Sequence, residues 1–206
     1  MYKKILLLTM LLSLLFVSCE KEDEDEYPSV RTELACAYTG DDGSVYKIVL
    51  DDGTTYPVSL PNTKYLSNIA LRCKVVFSDE IDKIDMYSLK LVRVGQVYSS
   101  SAFVTKPMDP LKFVSAWRSG DFLNFNVGLM TSSNNDEHEM AFSFDSIRYS
   151  GNSQIACMSL LHVRPTYDRE AYTEQTFLSM YLGGFQDYDS IQVNINTYDG
   201  MIKVVR

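Results

Sequence analysis

Several things are scarce in this chain of 206 residues, and each scarcity removes a class of function. Basic residues fall short of acidic ones, 19 against 27, which argues against a cationic surface for nucleic acid or anionic lipid. Glycine and proline are sparse, at 10 and 6, while 46% of residues are hydrophobic, so collagen-like, low-complexity and disordered classes are excluded. Only two histidines occur, His138 and His162. A Ser-His-Asp hydrolase needs one of them beside a nucleophile on a sharp strand-to-helix turn, and no G-x-S-x-G sequence exists. Neither histidine has cysteines or carboxylates at zinc-ligand spacing, so neither a metal nor another cofactor is expected. The reading is of a protein that is not an enzyme. His138 sits in the charged run Glu137-His138-Glu139 and is expected to be exposed at a hairpin tip; His162 is expected at a sheet rim in a structural role.

Long apolar runs are also missing, except at the amino end. Lys3 and Lys4 precede an uncharged, Leu-rich stretch over residues 5–16. A helix of that length rises about 18 Å, short of the roughly 30 Å hydrocarbon core, so residues 1–18 read as a signal peptide and not as a membrane span. Ser18-Cys19 at its end resembles a bacterial lipobox, with Cys19 becoming the acylated first residue of the mature chain. Six acids and Lys21 fill residues 20–26, and such a run cannot be buried, so residues 19–30 read as a lipidated cysteine and solvated tether. The position of that run resembles the surface-export signal of Bacteroidota lipoproteins. An outer-membrane lipoprotein facing the exterior is expected, with the periplasmic face as the alternative.

The remainder reads as all-β. From Tyr27 onward it holds 16 basic and 21 acidic residues, a balance of −5, and no nucleic-acid partner is expected. Period-two alternation recurs throughout, and no helical pattern lasts beyond two turns. Asp41-Asp42-Gly43 and Asp51-Asp52-Gly53 read as hairpin turns; the further oxygens of a calcium loop are missing. Tyr46, Ile48 and Leu50 are placed on one face, and Leu71, Cys73, Val75 and Phe77 alternate with Arg72 and Lys74. Five strands over residues 31–100 suit a small, partly closed OB-like barrel, with a short helix over 64–70 as its cap. A Ser- and Pro-marked linker is expected over 101–110. Residues 111–206 then read as a roughly seven-stranded β-sandwich, with Leu123, Phe125, Val127 and Leu129 alternating with Asn124 and Asn126.

Cys36 and Cys73 are the candidate disulfide. Each is in phase with apolar neighbours that face the barrel interior, and first and fourth strands can lie side by side; reduced, buried thiols are the alternative. Tyr167, Asp168, Arg169 and Tyr172, in the long segment 164–175, form a candidate binding loop, with a merely solvated loop as the alternative.

The tether, the strand-Asp-Asp-Gly-strand meander, Asp121-Phe122-Leu123-Asn124-Phe125, Leu160-Leu161-His162 and the run from Phe177 to Leu182 together resemble the NigD-like lipoproteins. That resemblance implies an amino-terminal OB domain followed by a β-sandwich and supplies no catalytic or ligand-binding residues. The expected function is a non-enzymatic, lipid-anchored interaction module whose partner is an envelope protein, with a glycan-binding accessory as the second reading.

Overall fold

The computed structural model describes residues 29–80, 83–132, 137–165 and 172–206. Cys19, Tyr167, Asp168 and Arg169 lie outside the described residues. The fold is all-β.

The first sheet contains β1 (Val30–Thr39), β2 (Ser44–Leu50), β3 (Thr55–Lys64), β4 (Ala70–Glu80) and β5 (Lys83–Leu91), ordered β3-β2-β1-β4-β5. All its ladders are antiparallel, and β3 and β5 curl towards each other without closing the barrel by a ladder among the described residues. Both Asp-Asp-Gly segments are turns: Asp42 accepts from Ser44 N–H at 2.9 Å and Asp52 from Thr54 N–H at 2.8 Å. Alternation changes phase in β2. The β2–β3 register shifts between Val45 and Lys47, so Val45 is buried beside Ile48 and Leu50 while Tyr46 is half exposed, contrary to the expected phase. Residues 65–69 form a turn, not the expected helix. The Thr39 hydroxyl donates to the Leu66 carbonyl at 2.7 Å and accepts from Ile69 N–H at 3.0 Å, taking up polar groups that a helix would bond internally.

The second module comprises β6 (Arg93–Val94), β7 (Val97–Ser99), β8 (Lys112–Ser119), β9 (Phe122–Thr131), β10 (Glu139–Ser150), β11 (Ser153–Val163), β12 (Tyr172–Tyr181), β13 (Ser190–Thr197) and β14 (Gly200–Val205). One sheet runs β14-β13-β11-β10-β7 and the other β6-β12-β9-β8. Phe125 of one meets Phe142 of the other at 5.4 Å between ring centroids, in a core completed by Leu160, Leu178, Met180 and Val193. Each such side chain contributes roughly 1.5–3 kcal/mol through burial.

The chain enters this sandwich earlier than residue 111. The short strands β6 and β7 pair in parallel with β12 and β10, one in each sheet. Gly95 lies between them, where a Cβ would sit 2.6 Å from the Phe142 ring, so only glycine lets the backbone cross so close to the core. Residues 107–111 are likewise hydrogen-bonded in place. His162 N–H donates to the Pro107 carbonyl at 2.9 Å, Asp109 N–H to the His162 carbonyl at 2.9 Å, and Leu111 N–H to the Asn196 carbonyl at 3.2 Å. The expected linker therefore fills the gap between β11 and β13 beyond their shared ladder.

Candidate functional site

In β1 and β4 the register pairs Ala35 with Cys73 and Cys36 with Arg72. Residues paired in this way share a face, so the row Ala35, Cys73, Val75 and Phe77 fills the small core while Cys36, Arg72 and Lys74 point outward. The expected Cys36–Cys73 disulfide is thus corrected: the thiols occupy opposite faces of the sheet, and both are free. Burial pushes the Cys73 thiol up to about 12. Burial also raises Cys36, against the opposing pull of the Arg72 guanidinium.

The outward row is only partly exposed to water. It meets the outer face of the β12-β9-β8 half of the sandwich, and Arg72 is 5% exposed at that seam. Its guanidinium forms a two-pronged ion pair with Asp51, the Nη2–Oδ2 arm at 2.7 Å. It also donates to Asn124 Oδ1 at 3.1 Å and to the Ser179 hydroxyl at 3.2 Å, and lies 4.1 Å from the Phe122 ring centroid. Ser179 in turn donates to Asn124 at 2.7 Å. Asp51 also touches the β8–β9 turn, where Gly120 has φ +53° and a Cβ would come 2.8 Å from the Asp51 carbonyl. A planar, permanently charged fork suits this position, since it fills several acceptors at once.

Beside Arg72 the seam opens into a groove of about 180 Å³. Thr32, Glu33 and Lys74 line it on one side, Trp117, Ser119 and Phe177 on the other. Trp117 and Phe177 meet edge to face at 6.2 Å, and the Lys74 ammonium stands 5.3 Å from the Phe177 centroid.

A second polar constellation lies inside the sandwich. His138 is 6% exposed and His162 1%, so the expected exposed position of His138 is corrected. The rings stack, with Nδ1 of His138 2.9 Å from Nε2 of His162. Nδ1 of His162 lies 2.9 Å from the Asp109 carbonyl, which can only accept. That nitrogen therefore carries the proton, Nε2 of His162 accepts, and Nδ1–H of His138 donates. Burial holds His162 below the ordinary imidazole value, partly offset by the Asp109 carbonyl. His138 borders a cavity of about 200 Å³ that also touches Arg93, Glu137 and Glu174. Elsewhere the Asp145 carboxylate, which burial alone would push up, is held below its usual range by Lys106, Ser159 and Ser143.

Of the candidate binding loop, Tyr172 is described. It begins a strand, pairs with Thr131 and is 53% exposed. Among the described residues no group of three or more His, Cys, Asp and Glu side chains could hold a metal ion. Sequence reasoning missed Arg72 and Trp117 as seam residues; the one available signal was the polar row Arg72 and Lys74 opposite the polar row Asn124 and Asn126.

No family model and no curated protein matches the chain. Solved structures do. A NigD-like immunity protein from Bacteroides caccae superposes with a TM-score of 0.66 at 22% identity, covering 86% of this chain and 93% of that one. The chain has a NigD-like fold. A protein of unknown function from Bacteroides vulgatus follows with a TM-score of 0.62 and 15% identity, over 86% of this chain and 90% of its own. A "putative lipoprotein" from Bacteroides fragilis gives a TM-score of 0.57 and 12% identity, over 86% and 96%. The NigD-like likeness spans both modules, so the resemblance read from the residues holds at the level of fold.

Proposed function

We propose that the chain is a lipid-anchored cell-envelope protein that works by contact and not by catalysis, with its two modules displayed on the outer membrane, facing the exterior. One observation carries the reading: Ser18-Cys19 closes an apolar leader, and an acidic run separates Cys19 from a fold whose first strand starts at Val30. Supporting it, two similar structures are named as a "NigD-like immunity protein" and a "Putative lipoprotein", and neither name is that of a reaction. The seam at Arg72 holds the modules as one body, which suits a surface that must be presented in fixed shape to an envelope partner. Acyl chains account for the anchoring, since each buried CH₂ contributes about 0.8 kcal/mol.

Radiolabelled palmitate is expected on the wild-type chain and absent from Cys19→Ala, which leaves the membrane fraction as folded protein. A Cys19→Ala variant that still sediments with membranes refutes anchoring through this cysteine. Protease treatment of intact cells separates the two membrane faces: cleavage supports display, and protection places the chain at the periplasmic side.

A further inference from the structure

The cavity of about 200 Å³ at His138 lies at one end of the sandwich, between its two sheets. Its walls come from inward-facing rows. Glu174 pairs with Leu129 and Thr176 with Val127, while Leu178 pairs with Arg93 of β6, so these side chains leave their sheet on the side of the core. From the facing sheet come Met140 and, just ahead of β10, His138 and Glu137. Leu129, Thr131, His138 and Met140 are buried and form the floor; Arg93, Glu137 and Glu174 are exposed and form the mouth. The floor is preformed, because the His138 ring is held by stacking and by its hydrogen bond with His162.

The mouth carries charges of both signs that are not matched to one another. Glu174 lies 3.9 Å from the Lys90 ammonium. Arg93 and Glu137, by contrast, form no ion pair with each other or with any other of the described residues. On an open surface water would serve such charges and they would mean little. Here they flank a concavity with an apolar floor, where one ligand can meet both. A guanidinium fork takes a carboxylate by two parallel hydrogen bonds, and a carboxylate takes an ammonium. Leu129 and Met140 offer apolar contact, and the Thr131 and Thr176 hydroxyls both donate and accept. The volume falls below the roughly 300–1,000 Å³ of sites for drug-sized molecules, so the occupant is small. A peptide terminus brings only one of the two charges, whereas a free amino acid carries both on one carbon with its side chain beside them.

We propose that this end of the sandwich binds a free α-amino acid with an apolar side chain, its carboxylate on Arg93, its ammonium on Glu137 and its side chain against Leu129 and Met140. Binding here requires neither acylation of Cys19 nor a particular face of the membrane.

His138 is one of two histidines in the chain, so its ring signals in NMR are readily assigned and report the cavity floor. The full chain in detergent is titrated with L-leucine, L-methionine and L-valine. The N-acetyl derivative of the tightest binder, which lacks the ammonium, and its amide, which lacks the carboxylate, are then compared with it, together with cadaverine, a diamine without a carboxylate. At least one amino acid is expected to shift the His138 signals saturably, and all three comparison compounds should bind roughly tenfold more weakly or worse. Arg93→Gln should weaken the amino acid by a similar factor and leave the amide unchanged; Glu137→Gln should weaken the amino acid and leave the N-acetyl derivative unchanged. Both positions are exposed, so both variants should fold as the wild type does. Silence of all three amino acids overturns the proposal. So does a derivative that binds as well as its parent, cadaverine binding more tightly than the amino acids, or amino-acid binding that survives both substitutions.

Discussion

The two modules hold themselves together by different means. The sandwich closes around an extensive apolar core in which Phe125, Phe142, Leu160, Leu178 and Met180 are almost wholly buried. The smaller module has a thinner core, with Ala35 and Ala37 on its central strand and Phe77 as the one fully buried ring among its described residues. Small alanines let a short sheet curl, but they contribute little burial, and domains of this size are marginal alone. The smaller module makes up the difference at its outer face, where Arg72 is inserted into the sandwich. This arginine therefore belongs to the stability of the smaller module more than to that of the sandwich.

The harshest test of that asymmetry is Arg72→Ala. It strands Asp51, whose side chain is 12% exposed, and removes two donors from Asn124 and Ser179. Breaking a buried pair by deleting one partner costs about 3–5 kcal/mol. In urea denaturation the variant should lose that amount, and hydrogen exchange should show protection lost over β1–β5 and kept over β8–β14. A loss below about 1 kcal/mol, or one spread evenly over both modules, would contradict the asymmetry.

A smaller effect probes the sandwich from the opposite side. His162 is buried with its value depressed, so the unfolded chain takes up a proton more readily than the folded one. Its contribution is therefore complete above the unfolded value of about 6.5 and is lost as pH falls from there towards the depressed folded value. The groups around it are His138, Arg164 and Asp109; His138 and Arg164 oppose added positive charge, while the Asp109 carbonyl and carboxylate favour it without outweighing burial. Stability should fall by up to about 1.4 kcal/mol per pH unit for this one proton. Denaturation midpoints measured above and below neutrality in wild type and His162→Gln would show a slope that the variant lacks. An equal slope in both would assign acid sensitivity to other groups.

What was legible in the residues follows from what alternation encodes. Leu123, Phe125, Val127 and Leu129 face the core as read, because one buried row against one polar row is the sheet's own signature. Alternation does not say what covers the polar row. Asn124 and Arg72 stand in the polar rows, and both are buried because two polar rows from distant strands meet. Bulges defeat the same logic locally, as at Val45 and Tyr46. Strands as short as Arg93–Val94 and Val97–Ser99 carry too few residues to show a period at all, which is why the sandwich begins before the expected boundary. His138 looked exposed because its neighbours Glu137 and Glu139 are charged, yet a single inward position on a strand entry suffices to bury it against His162.

The gentlest expected effect concerns Tyr172, and it separates packing from position on the same strand. Tyr172 shares its row of β12 with Leu178 and Met180, both fully buried, yet it stands beyond the core's edge and is half exposed. An apolar row thus contributes to stability only where the opposite sheet reaches it. Tyr172→Ala should change stability by no more than about 0.5 kcal/mol, as surface substitutions do, whereas Met180→Ala should cost about 2–5 kcal/mol. Urea denaturation of the two variants side by side measures the ratio. A Tyr172→Ala loss approaching that of Met180→Ala would mean that the end of the sandwich is clamped, and that its stability is not concentrated in the middle of β12.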